Sequence, residues 1–188
     1  VRHKTKRLSQ AIQRASPNAL IVLDPGVYDE TEMIVIDKAM TIVGLEDYTN
    51  PICVTMTNAT CLLVVTSEKV VLQNIHFATD ATKPVINIQQ GEVYMENCEI
   101  SHGQDGVVVC SNQASLHMTK TTISNCSKTG VVVGFDEALV VMENVTVKEC
   151  GTAMLVENRA HPYVRNCEFM HCGVGLTVTN AGRGYFDH

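Results

Sequence analysis

Long hydrophobic runs are missing from this 188-residue sequence, and none of its apolar stretches approaches the roughly 20 residues of a membrane-spanning helix. The chain also shows no signal peptide and no low-complexity linker, and it does not begin with methionine. We therefore expect a single domain that belongs to a longer protein and has no membrane partner.

Positive charge is also scarce, because 14 Lys and Arg face 20 Asp and Glu and give a formal net charge of -6 at pH 7. Proteins that bind nucleic acid usually carry a basic surface. The one basic cluster lies at the extreme N-terminus and is interpreted as a solvated helix face: Arg2, Lys4, Lys6 and Arg7. The sequence therefore predicts no nucleic-acid partner.

The eight cysteines lack the spacing of a metal site, since no CxxC pair occurs and no histidine stands at ligand spacing from them. We predict neither a metal nor another cofactor. Cys126, Cys150 and Cys172 recur in step with a repeat, and a buried free thiol is the common role of such residues. Reduced thiols predict an intracellular protein, either cytoplasmic or nuclear.

The sequence does contain an internal repeat marked by asparagine. Asn74, Asn97, Asn144 and Asn166 stand in the similar phrases QNIHF, ENCEI, ENVTV and RNCEF, and Lys120 takes the equivalent place in a fifth phrase. These positions recur every 22 to 24 residues. A period of this size, with short β-branched strands between the phrases, is typical of a solenoid in which each repeat forms one coil.

Apolar residues recur in step with the asparagines. The largest set forms one column: Phe77, Ile100, Ile123, Val147 and Phe169. Stacked coils about 4.8 Å apart would bury these residues in a continuous core. The pattern predicts an all-β, single-stranded, right-handed parallel β-helix over residues 19–188, with coils of about 22–24 residues. Residues 1–18 are predicted to contain a short amphipathic helix that caps its first coil.

The asparagine column is predicted to be a structural ladder at an inward-turning corner. Asparagine tolerates left-handed backbone geometry, and identical amides stacked at the strand spacing can hydrogen-bond to each other. On this interpretation Asn74, Asn97, Asn144 and Asn166 are buried within the corners and have no catalytic role. The stem of Lys120, which interrupts the column, is expected to turn outward so that its ammonium group stays in water.

Catalytic motifs are not evident in the sequence. Hydrolysis of a polysaccharide would need two or three converging carboxylates, and Glu99, Glu143 and Glu168 are instead interpreted as a solvated column beside the asparagines. Ser101-His102-Gly103 resembles the Gly-His-Gly motif of polygalacturonases, but the acidic and basic partner motifs of those enzymes are absent. We therefore predict no catalytic residue and a domain that is not an enzyme.

Several segments resemble a known family of repeats. They are AHPYVRNCEF at 160–169, GVGLTVTNAGRG at 173–184, HGQDGV at 102–107, LIVLDPGVYDE at 20–30 and MTIVG at 40–44. These segments are similar to the carbohydrate-binding and sugar-hydrolase repeats of pectin-lyase-like solenoids. They most resemble those of F-box-only ubiquitin-ligase subunits and of SHC-binding, centralspindlin-associated spindle proteins.

The resemblance implies a recognition module that binds a protein partner, either as the substrate-binding part of a ubiquitin ligase or as an adaptor in cytokinesis or signalling. Glycan binding is possible on the same grounds, and a polysaccharide-binding or polysaccharide-cleaving, pectinase-like domain is the alternative. The predicted partner-binding residues are polar turn positions: His102, Gln104, Asp105, Lys128, Glu157, Arg159 and His161.

Overall fold

The computed structural model describes residues 7–45, 51–57, 61–80, 82–135 and 138–187. Within these residues the chain forms one helix and three parallel sheets, because short strands recur in the same order in every coil. The strands wind into a right-handed β-solenoid, so the predicted fold class is confirmed. No helix in the described ranges is long and apolar enough to cross a membrane.

In the described residues each of seven coils contributes one strand to each sheet, and sheet 1 contains one further strand. Sheet 1 contains β1 (Ala19–Leu23), β4 (Met40–Gly44), β7 (Lys69–Gln73), β10 (Gly91–Glu96), β13 (Ala114–Thr119), β16 (Leu139–Glu143), β19 (Tyr163–Arg165) and β22 (Tyr185–Asp187). Sheet 2 contains β2 (Gly26–Glu30), β5 (Ile52–Met56), β8 (His76–Thr79), β11 (Glu99–Ser101), β14 (Thr122–Ser124), β17 (Thr146–Lys148) and β20 (Glu168–Met170). Sheet 3 contains β3 (Ile34–Ile36), β6 (Leu63–Val65), β9 (Ile86–Ile88), β12 (Asp105–Val109), β15 (Thr129–Val133), β18 (Thr152–Val156) and β21 (Val174–Val178).

The strands pair residue for residue, which places equivalent side chains of successive coils in columns. In sheet 2, Phe77 pairs with Ile100, and Ile100 pairs with Ile123. All three side chains are fully buried. The alternation of apolar and polar residues within each strand sends one set into the core and the other outward. The apolar column predicted from the repeat is therefore part of the core.

The short helix α1 (Leu8–Arg14) packs against the first coil through the buried side chains of Leu8 and Ile12. Side chains of that coil bind both ends of the helix. Glu30 accepts hydrogen bonds from the Leu8 and Ser9 backbone N–H groups and from the Ser9 hydroxyl. Lys38 Nζ donates to the carbonyl oxygens at the C-terminal end: Ile12, Gln13 and Ala15, at 3.1, 3.2 and 2.8 Å.

We expect Glu30→Ala to destabilise the domain by about 1–3 kcal/mol. The Leu8 and Ser9 donors would stay buried without a hydrogen-bond acceptor, and their desolvation would no longer be offset. Glu30 is only 2% exposed, so water does not readily replace its carboxylate. Urea denaturation followed by circular dichroism measures the change. Glu32→Ala is the matched control, since Glu32 is exposed nearby. Equal stability of the two variants would contradict the role of Glu30.

The asparagine corner lies between sheets 1 and 2. Asn74, Asn97, Asn144 and Asn166 have φ angles of 57°, 51°, 54° and 49°, and Lys120 has 47°, so all five adopt left-handed geometry. Asn97 donates from Nδ2 to Asn74 Oδ1 at 2.9 Å, and Asn74 donates to the Gly44 carbonyl oxygen at 3.2 Å. These two bonds form a short ladder.

The predicted inward placement of this ladder is wrong. The side chains of Asn97, Asn144 and Asn166 are exposed, and that of Asn74 is half-buried. The left-handed residue stands at the apex of the turn, where its side chain points away from the core. Lys120 is exposed as predicted, and its Nζ lies 3.4 Å from Glu96 Oε1.

All eight cysteines are free thiols. Cys61, Cys98, Cys126 and Cys150 are buried, and the other four are half-buried. Burial raises the pKa of Cys98 to about 11. The pKa of Cys150 shifts in the opposite direction, because a hydrogen bond from Cys126 in the preceding coil lowers it to about 7.

Candidate functional site

The outer face of sheet 2 carries two neighbouring columns of polar side chains. Cys53 pairs with His76, and His76 pairs with Glu99. Two residues further along the same strands, Ser101 pairs with Ser124. Parallel pairing in register holds such residues one strand spacing apart, about 4.8 Å. Side chains from three consecutive coils are therefore brought together at one place.

His76 is at the centre of this group. Its Nε2 lies 2.7 Å from Ser101 Oγ, and its Nδ1 lies 3.9 Å from Glu99 Oε2 and 3.7 Å from Cys53 Sγ. His102 Nδ1 lies 2.8 Å from the same Ser101 Oγ. The serine hydroxyl is thus held between two imidazoles, one of which faces a carboxylate.

The pKa of His76 is lowered from its ordinary value. Burial is the main cause, and the nearby His102 acts in the same direction, whereas Glu99 opposes the shift. The imidazole is therefore neutral near pH 7, because the ordinary pKa of histidine is already 6.5 and that of His76 is lower. A neutral imidazole within hydrogen-bond distance of a hydroxyl can accept that proton.

His76 and Glu99 open onto a groove of about 470 Å³, which we name the polar groove. The groove runs beside the asparagine corner and is lined by Leu45, Pro51, Ile52, Asn74, Ile75, His76, Asn97, Cys98, Glu99, Lys120, Thr122 and Lys148. Lys120 is paired with Glu96. Lys148 has no carboxylate partner in the part of the chain that the structure describes, so its charge is available to a ligand.

A second depression of about 300 Å³ lies on sheet 1, and we name it the aromatic hollow. It is lined by Lys69, Val71, Gln73, Tyr94, Met95, Glu96, His117 and Thr119. The rings of Tyr94 and His117 stack with centroids 4.7 Å apart. Gln73, Glu96 and Thr119 directly precede the corner residues Asn74, Asn97 and Lys120 in the sequence. The asparagine corner therefore separates the two depressions.

The predicted partner-binding residues do not form one surface. His102, Gln104 and Lys128 lie at the turns that lead into sheet 3, and Asp105 begins its strand β12. Glu157, Arg159 and His161 instead follow strand β18, at the opposite end of the strands of that sheet. Only His102 contacts the group around His76.

Asp105 is the unusual member of the predicted set. It is only 7% exposed, and its Oδ1 has no hydrogen-bond partner among the described residues. Burial raises the pKa of Asp105, although Lys128 and Thr129 act in the opposite direction. A buried side chain of this kind is not free to bind a large partner, so its prediction as a surface contact is wrong.

The sequence interpretation missed Cys53, His76 and Lys148, and it named Ser101 only within a motif that it did not accept as catalytic. His76 and Glu99 both stand two residues after an asparagine of the repeat, so alignment of the phrases places them in one column. The repeat therefore predicts the proximity of His76 and Glu99. It does not predict the contact of His76 with Ser101, because that contact depends on how far the side chains lean across the sheet. The described residues contain no group of three or more His, Cys, Asp or Glu suited to a metal ion.

Two solved structures share the fold over 96% of this chain. One is pectin methylesterase from Aspergillus niger, with 12% identity, a TM-score of 0.58 and 79% of its own chain covered. The other is alginate lyase from Paenibacillus sp. str. FPU-7, with 12% identity, a TM-score of 0.50 and 94% of its chain covered. At this identity the likeness concerns the fold. A search of curated proteins found no significant match.

Both structures are enzymes. The prediction of a non-enzymatic domain is therefore wrong, because it rested on missing motifs whereas this fold is compatible with catalysis. The comparisons also give no support to a relation with F-box or spindle proteins, or to a protein partner. A family model described as the right-handed β-helix region matches residues 50–187. The chain accordingly belongs to the right-handed β-helix family.

Proposed function

We propose that this domain binds an acidic polysaccharide in the polar groove and that His76 moves a proton in a reaction on the bound polymer. The observation that carries the proposal is the groove itself. It combines a neutral imidazole with the ammonium groups of Lys120 and Lys148 and with corner amides. The names of the two structural neighbours, a pectin methylesterase and an alginate lyase, support a polysaccharide as the ligand.

Three side chains of the groove match the groups of a sugar acid. The ammonium group of Lys148, which has no carboxylate partner among the described residues, matches a uronate carboxylate, and charge-assisted hydrogen bonds of this kind are among the stronger ones in proteins. The exposed amide of Asn97 and the hydroxyl of Thr122 can donate to and accept from sugar hydroxyls. His76 lies beside them, where it can act as a general base.

The aromatic hollow extends the same surface across the asparagine corner. The stacked rings of Tyr94 and His117 offer apolar area, and Gln73 and Glu96 offer hydrogen-bonding groups beside them. A polymer that crosses the corner would therefore meet sugar-sized sites on both sides. A chain ligand fits this arrangement better than a single small molecule.

A protein partner is the weaker proposal, since the residues predicted to bind one lie at opposite ends of the strands of sheet 3. We keep the intracellular location as part of the proposal, because the eight free thiols are typical of a reducing compartment.

We expect Lys148→Ala to weaken binding of polygalacturonate or alginate about tenfold, which corresponds to one charge-assisted contact of about 1.4 kcal/mol. Isothermal titration calorimetry at low and high salt measures the affinity, and a neutral glycan such as amylose tests the need for acid groups.

Lys128→Ala is the matched control for this experiment, because it removes the same charge from an exposed turn at sheet 3. Its affinity for the acidic polymers should equal that of the parent. Equal loss of binding in the two lysine variants would show that the groove is not the binding site. Equal affinity of the parent for amylose and for the acidic polymers would overturn the proposed ligand class.

A further inference from the structure

We propose that Ser101 is the nucleophile of an ester hydrolase and that His76 is its base, with an ester-substituted sugar in the polar groove as the substrate. The choice of a sugar rests on the proposed function, whereas the ester chemistry rests on the geometry of Ser101. A serine hydroxyl within hydrogen-bond distance of an imidazole, itself oriented by a carboxylate, is the arrangement that activates serine for acyl transfer.

The hydrogen bonds assign a role to each nitrogen. Glu99 Oε2 lies 3.9 Å from His76 Nδ1, beyond hydrogen-bond distance, and its negative charge favours a proton on Nδ1, which leaves the Nε2 lone pair free. The Ser101 hydroxyl then donates to Nε2 over 2.7 Å. Since this uses the only hydroxyl proton, His102 Nδ1 must donate to Ser101 Oγ over 2.8 Å. Glu99 and Cys53 act as positioning residues in this arrangement.

The reaction balances with water as the only co-reactant. Ser101 Oγ forms a bond to the ester carbonyl carbon while its proton passes to His76 Nε2. The bond from that carbon to the alcohol oxygen breaks, and the alcohol leaves with the proton from His76. Water then attacks the acyl-serine and gives a proton to Nε2. The Ser101–acyl bond breaks, Oγ recovers its proton, and the acid is released.

Access to Ser101 depends on His102. Ser101 is only 1% exposed, so a substrate cannot reach Oγ while both imidazoles hold it. His102 is exposed and stands at a left-handed turn with φ of 67°. Rotation of its side chain breaks one hydrogen bond and uncovers the hydroxyl, whereas His76 is half-buried and stays in place. The two histidines therefore have opposite effects on the reaction.

Ser124 provides an internal control, because it pairs with Ser101 in the next coil and is 3% exposed. The residue that stands in the place of His76 one coil further on is Glu99. Ser124 thus shares the strand position and burial of Ser101 without an imidazole base in the equivalent place. A difference in reactivity between the two serines reports the effect of His76.

The test uses a biotinylated fluorophosphonate, which labels activated serines, followed by peptide mapping with mass spectrometry. We expect the parent to be labelled at Ser101. The rate of labelling should fall at least about a hundredfold in Ser101→Ala and His76→Gln. It should stay unchanged in Ser124→Ala and rise in His102→Ala. Hydrolysis of p-nitrophenyl acetate should follow the same order.

The pH profile separates a catalytic role of His76 from a structural one. Protonated His76 cannot accept the serine proton, so the labelling rate should fall on the acid side with a midpoint below the ordinary 6.5. Cys53, Glu99 and His102 face the imidazole. Because Glu99 raises the pKa of His76, Glu99→Gln should move the midpoint to lower pH.

Absence of labelling in both the parent and His102→Ala would overturn the proposal, as would labelling that persists in His76→Gln. Binding of polygalacturonate to Ser101→Ala is measured in parallel and should match the parent. Loss of ester hydrolysis with intact binding assigns the chemistry to Ser101, and failure of binding in the parent counts against the polysaccharide but not against the activated serine.

Discussion

Gly91→Ala is expected to destabilise the domain by about 3 kcal/mol or more. Gly91 begins strand β10 with φ of 79°, a left-handed geometry that costs other residues about 1–2 kcal/mol. A Cβ atom there would lie 1.8 Å from the Ser67 carbonyl oxygen and 2.8 Å from that of Glu68. Both neighbours are backbone atoms of the preceding coil, so relief requires the coils to separate, and overpacking adds about 1–3 kcal/mol.

Thermal and urea denaturation of Gly91→Ala measure this loss, and Gly175→Ala is the control. A Cβ atom at Gly175 meets nothing within 4 Å, so that variant should stay within about 0.5 kcal/mol of the parent. Similar stability of the two variants would contradict the close stacking of coils at Gly91.

Phe77→Ala is expected to cost about 3–5 kcal/mol, the usual range for removal of a buried phenylalanine. Its side chain is fully buried in sheet 2, between Val54 and Ile100 of the adjacent coils. Truncation leaves a cavity in the middle of the solenoid, where stacked coils on both sides prevent collapse. Urea denaturation should show a lower midpoint with little change in the slope of the free energy.

Phe135→Ala is the matched control, because Phe135 is 47% exposed at a turn. Its removal should change the free energy of unfolding by no more than about 0.5 kcal/mol. A loss for Phe77→Ala as small as that of Phe135→Ala would show that this part of the core is not tightly packed.

The fold could be predicted because one pattern recurs in every coil. The spacing of Asn74, Asn97, Asn144 and Asn166 defines the length of a coil, and the apolar residue three positions later defines its inner side. Each coil thus repeats the same information, and a local exception such as Lys120 does not obscure it. The structure places Ile100 and Ile123 in the core as this pattern requires.

The direction of the asparagine side chains could not be predicted in the same way. A left-handed φ angle was expected from the residue type, and the structure has it at Asn97. The sequence does not state whether the apex of such a turn faces the core or the solvent. The side chain of the neighbouring Cys98, which is 4% exposed, points inward instead.

The candidate site was harder to predict because its members are far apart in the sequence. Cys53, His76 and Ser101 come from three successive coils and form no local motif. Register alone places His76 beside Glu99. The contact of His76 with Ser101 needs a side-chain conformation as well, which is fixed by packing and not by the repeat. The search for adjacent catalytic motifs therefore reached His102 but not His76.

Residue-for-residue pairing makes the complete coil the natural unit of length for this chain. One extra residue within a strand would turn every later apolar side chain of that strand outward, whereas gain or loss of a whole coil keeps all columns in step. The solenoid can therefore lengthen by duplication of whole coils and shorten by their deletion. A coil inserted between those of His76 and Glu99 would preserve the fold but would separate the imidazole from its carboxylate. A change of length that the fold tolerates can therefore still abolish the proposed activity.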